Sequence, residues 1–76
     1  MARWTAPAYE AIFAANPPTE PRAPTRAEAA DLGARLGFSP GAILAQWNDG
    51  RDLVLGNLSA ASEQLRGYLR RRGWLT

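Results

Sequence analysis

The side chains that carry most enzymatic chemistry are missing from this sequence. It has no histidine and no cysteine. That excludes a serine–histidine relay, a thiolate nucleophile, and a zinc site built on imidazole or thiolate. All nine basic residues are arginine, so no lysine is present to activate a serine. Asp49 and Asp52 flank Gly50-Arg51, but two acids are too few for a calcium loop, and they read as turn and cap residues. The expected protein binds rather than catalyses, with no metal, cofactor or small-molecule substrate.

Arginine keeps its charge and offers a planar fork that suits carboxylates and phosphates. The first fifty residues hold four arginines against five acids, whereas residues 51–76 hold five against two. Any electrostatic footprint therefore lies at the C-terminal end. Arg66 and Arg70 are four apart on one helix face, with Arg71 beside them. With Arg26 and Arg51 they form a candidate phosphate grip, and Gln46 and Asn48 are the nearest side chains able to read base edges. The plainer alternative is a solvated helix end whose positive charge matches the helix dipole, with Glu63 pairing Arg66 at i,i+3. Trp4, Tyr9, Phe13, Phe38, Trp47, Tyr68 and Trp74 are many large side chains for so small a core. A candidate protein interface is therefore Trp4, Tyr9, Ile12, Phe13, Leu44 and Trp74, since aromatic anchors dominate interface energetics.

The elements that must hold these residues are helical. Helix 1 is expected over about Ala6–Ala15, with Thr5 as cap and Trp4 stapled to Tyr9. Asn16 and Pro17-Pro18 end it. Residues 16–24 carry four prolines in nine positions and read as a linker reaching about 25–28 Å in polyproline II form. Residues 1–15 then form an N-terminal helix or arm, free to pack at home or elsewhere, and 25–76 form the helical domain. Thr25 and Glu28 make a capping box for helix 2, whose stripe is Ala29, Leu32 and Leu36. Gly37 ends it, with Phe38 expected to fold back on Leu32. Ser39 caps helix 3 with Pro40 in its first turn, and Asp49-Gly50 should end it near Asn48. Leu58, Ala61, Leu65, Tyr68 and Leu69 mark a last helical element between Asp52 and Arg72, with a break near 56–59. Gly73 ends it, and Trp74 packs back on Leu69. The fold class is all-α: a single small bundle of four short helices, or five if the last element divides.

The stretch Leu32 to Ile43 resembles the helix-turn-helix of Cro- and Xre-like repressors. Leu32, Gly33, Gly37, Phe38, Ser39 and Ile43 match its apolar, small, glycine, apolar, serine and buried-aliphatic positions, and Trp47-Asn48-Asp49-Gly50 matches the run that ends the second helix. The resemblance implies DNA binding by a transcriptional regulator or recombination accessory factor. Two features depart from that family. Trp47 sits one position late, with Gln46 in the buried place. The reading positions Ser39, Pro40, Gly41, Leu44 and Ala45 carry no charge, and only Ser39 could bond a base edge. The stretch Leu58 to Arg70 also resembles a helix of phage head–tail connector proteins, which implies a phage or mobile-element component.

A 76-residue chain makes one domain and buries about 60% of its unfolded surface. Its expected stability is ~5 kcal/mol or below, so a bound partner would add to it. No apolar run approaches the ~20 residues of a membrane span, and MARWTAPAYE holds no signal-like apolar core. The expected location is the cytoplasm, or a virion if phage-encoded. The leading reading is a protein-binding adaptor or inhibitor that docks on a larger protein or homo-oligomeric assembly, such as a virion connector. The alternative partner is double-stranded DNA.

Overall fold

The computed structural model describes residues 4–19 and 22–76. The described residues form four helices and no strand: α1 Ala6–Ala15, α2 Arg26–Leu36, α3 Pro40–Val54 and α4 Glu63–Arg71. None of these is long and apolar enough to cross a membrane. α2 and α3 share the most extensive contact, and α1 touches each of the other three.

Burial shows where α1 packs. Tyr9, Ile12 and Phe13 of α1 are buried together with Ala29 and Leu32 of α2, Ile43, Trp47 and Leu53 of α3, and Leu65, Tyr68 and Leu69 of α4. α1 is a wall of this core and not a free arm. Tyr9, Ile12 and Phe13 therefore cannot serve as surface interface residues in this fold. The aromatic rings of α1 pack on each other and on α4: Tyr9–Phe13 centroids are 6.0 Å apart, Tyr9–Tyr68 5.9 Å and Phe13–Tyr68 5.6 Å.

The proline-rich connector is fastened to the same core. Asn16, Pro18 and Pro24 are buried. Trp47 Nε1 donates to the Asn16 carbonyl, tying α3 to the end of α1. Arg22 bridges Asn16 Oδ1 (2.9 Å) and Glu28 Oε1 (3.0 Å), and Glu28 in turn accepts from Thr25 N–H (2.8 Å).

The expected end of α3 at Asp49-Gly50 is corrected, because the helix runs on to Val54. Gly50 is there for closeness. A Cβ on it would stand 2.5 Å from Phe13 Cζ, so the missing side chain lets α1 press against α3. The real terminator is Gly56, at φ 79. Asn57 N–H donates to Asp52 O (2.7 Å) and Gly56 N–H to Leu53 O (3.0 Å), the paired bonds of a Schellman ending. The same pattern closes α4, where Trp74 N–H donates to Leu69 O and Gly73 N–H to Arg70 O, both at 3.0 Å. The break expected near 56–59 is thus a longer connector, residues 55–62. Of the stretch Leu58 to Arg70, only the part from Glu63 onward is helical.

Caps behave as their chemistry dictates at α2, α3 and α4. Thr25 and Glu28 exchange reciprocal bonds, Ser39 Oγ accepts from Ala42 N–H, and Ser62 Oγ accepts from Leu65 N–H. Thr5 stands at the cap of α1, but its side chain accepts no bond. Pro7, in that first turn, has no N–H to offer. The staple does form, with Trp4 and Tyr9 stacked at 5.7 Å.

Candidate docking faces

The α2–α3 corner is built around two glycines. Gly37 takes φ 80, and both its N–H (2.8 Å) and that of Phe38 (2.9 Å) donate to Gly33 O. A Cβ on Gly33 would run into the Phe38 carbonyl oxygen, so this corner needs glycine in the helix as well as in the turn. Phe38 is half-buried against the core, and its ring also lies flat on Trp4. Their centroids are 4.0 Å apart and the rings 1° from parallel.

α3 presents two faces of opposite character. At about 100° per residue, Ile43, Trp47 and Gly50 point to the core, while Gly41, Ala45, Asn48 and Asp52 point away from it. Burial agrees: the first three are buried, Gly41, Ala45 and Asn48 exposed, and Asp52 half-buried. Leu44 and Leu55 fall on one flank of this outer strip. Leu44 is half-buried, and Leu55, at 55% exposure, is the exposed large hydrophobic among the described residues. Arg51, also on that flank, has its guanidinium over the Trp47 ring, 5.9 Å from the centroid. The centre of the strip is small and polar (Gly41, Ala45, Asn48 and Asp52), the leucines lie along one flank, and no arginine stands at the centre. Burial raises the Asp49 carboxyl above its ordinary range, and the Asp52 charge adds to that rise.

The arginines of the expected phosphate grip stand on three helices, Arg26 on α2, Arg51 on α3 and Arg66, Arg70 and Arg71 on α4. Arg26 is exposed in the first turn of α2. Arg66 is occupied: its Nη2 donates to Ser59 O (2.8 Å) and its Nε to Ala61 O (3.4 Å), which holds the α3–α4 connector. The expected Glu63–Arg66 pair does not form. The ion pairs among the described residues are Arg22–Glu28 and Asp31–Arg35. Arg70 and Arg71 are exposed. Gln46 and Asn48 are two residues apart on α3, about 200° of helix, so they face different sides and cannot read one groove edge together. Gln46 is half-buried and Asn48 exposed.

The terminal tryptophans are both half-buried. Trp74 lies edge-on to Phe13 and Tyr68, each at 6.4 Å, and Arg72 sits 5.0 Å over its ring. Burial pushes the Tyr9 and Tyr68 hydroxyls above their ordinary range. Tyr68 Oη and Asn16 Nδ2 are buried with no partner among the described residues.

Sequence reasoning missed Leu55. No motif marks it, and its exposure follows from α3 running past Gly50. It also missed Asn16 and Arg22, whose roles depend on contacts between separate segments. No protein-family model, curated protein or solved structure matches the chain.

Proposed function

We propose that the protein is a non-enzymatic binding module that docks on a larger protein through the outer face of α3. One observation carries this reading: Leu55 is exposed and falls on the same flank as half-buried Leu44, about three turns along the helix, with the small residues Gly41 and Ala45 near Leu44. Two aligned leucines give a partner apolar area to cover, and small neighbours let its helix approach closely. A partner helix with an apolar ridge suits the leucine flank, and Asn48 and Asp52, along the middle of the outer face, would meet polar groups beside that ridge. The half-buried Trp4 and Trp74 lie outside the strip.

The test is a photo-crosslinker placed at Ala45 in the native host, with and without nuclease. A discrete protein adduct that survives nuclease and disappears on Leu55→Asp supports the reading. Crosslinks to nucleic acid, or a protein adduct indifferent to Leu55→Asp, overturn it.

A helix-turn-helix DNA binder is the second reading, and the corner at Gly33 and Gly37 favours it. Its phosphate contacts would come from Arg26, Arg70 and Arg71. It requires duplex binding at ~50 mM salt that weakens steeply as salt rises. No mobility shift under those conditions would sink it.

A further inference from the structure

A second face, independent of α3, lies on α4. A shallow open groove of about 430 Å³ is lined by Glu63, Gln64, Gly67, Tyr68, Arg70 and Arg71. Gly67 lies at its middle. Nothing beyond the helix's own backbone and adjoining residues lies within 4 Å of where a Cβ would stand there. A glycine in a helix interior is unfavourable, and no contact within this chain requires it.

The charges around Gly67 have a symmetry of their own. Glu63 lies four residues before it and Arg71 four after, while Gln64 lies three before and Arg70 three after. None of Glu63, Arg70 and Arg71 has an ion-pair partner among the described residues. A helix laid antiparallel across Gly67 would therefore need an acid opposite Arg71 and a base opposite Glu63. α4 itself meets both needs. Two copies related by a two-fold axis through Gly67 place Glu63 of each against Arg71 of the other, and Gln64 against Arg70. This is the isologous arrangement of a symmetric dimer, and the missing side chain at Gly67 lets the helices come close. A phosphate backbone suits the groove less well, because Glu63 is one of its walls.

We infer that α4 is a self-association face, at which two copies pair antiparallel about Gly67 through Glu63–Arg71 contacts. The surface is small and polar, so the dimer is a weak one.

The experiment is sedimentation equilibrium of nuclease-treated protein from ~10 μM to ~1 mM, at ~0.1 M and ~1 M salt, where the Debye length falls from about 10 Å to about 3 Å. The expected result is a concentration-dependent dimer whose Kd rises about tenfold or more at the higher salt. Glu63→Arg and Arg71→Glu should each abolish it through like-charge contacts. An equimolar mixture of the two variants should restore it, since every contact is then complementary again, and a chain carrying both changes should dimerise with itself. The restored mixture separates lost pairing from lost folding. A monomer throughout, or a dimer indifferent to the charge reversals, or a mixture that stays monomeric, overturns the inference. Failure here leaves the α3 reading untouched.

Discussion

Residues 16–24 and residues 55–62 each join two helices over a similar length of chain, but they are held in different ways. The first holds four prolines, the composition of an extended spacer, yet Asn16, Pro18 and Pro24 are buried. Asn16 accepts from both Trp47 and Arg22, and Arg22 reaches on to Glu28. The second carries no proline and begins on exposed Leu55, and Arg66 bonds to two of its carbonyls. Proline content sets the local stiffness of a segment. Whether that segment swings free depends on the side chains that reach it from elsewhere.

Substitutions at the first connector should cost most. Trp47→Ala removes a fully buried ring and the donor to Asn16, and is expected to cost roughly 3–5 kcal/mol, most of the stability of a domain this size. Chemical denaturation with circular dichroism checks it. Trp47→Phe should retain a fold but lose about 1–3 kcal/mol, because the Asn16 carbonyl is left buried without its donor. A loss under a few tenths would show that the tie is dispensable.

Gly50→Val tests the contact that brings α1 onto α3. Its Cβ would meet the Phe13 ring, so a loss of about 1–3 kcal/mol is expected in the same assay. Stabilisation instead would mean that α1 is loose enough to move aside. At the second connector, Arg66→Ala should cost only about 1 kcal/mol, with little change in the denaturation slope.

The Arg22–Glu28 clasp gives the smallest effect, and it depends on pH. The hydrogen bond from Arg22, then the backbone bond from Thr25, lower the Glu28 carboxyl to about 2. A depressed carboxyl contributes stability that is present above its ordinary value of 4.5 and lost as pH falls toward 2. Glu28→Gln should therefore narrow its stability gap to the parent protein across that window. A gap that stays constant with pH would contradict the clasp.

Much of the fold is legible in the sequence, because helix ends are written locally. Thr25 with Glu28, Ser39 with Pro40, and Gly37 and Gly73 all mark termini through bonds to residues within a turn or two. Gly50 misleads because a glycine after aspartate reads as a terminator, whereas its role here is set by Phe13, far away in the chain. The same limit applies to α1. Tyr9, Ile12 and Phe13 form a stripe that suits a partner or a core equally, and only the packing of the other three helices decides between them. Of the proposed docking strip, sequence marks Leu44 alone as a protein-interface residue, and Gly41, Ala45 and Asn48 only as positions that would face DNA. Leu55 emerges from the true length of α3.

In this account α1 and its proline-rich connector belong to the folded core, and native-state hydrogen exchange of the Tyr9, Ile12 and Phe13 amides tests that most directly. The expected result is exchange within about tenfold of the slowest amides of α3, through global unfolding. Exchange about a hundredfold or more faster, while α3 stays protected, would show α1 opening on its own and contradict it.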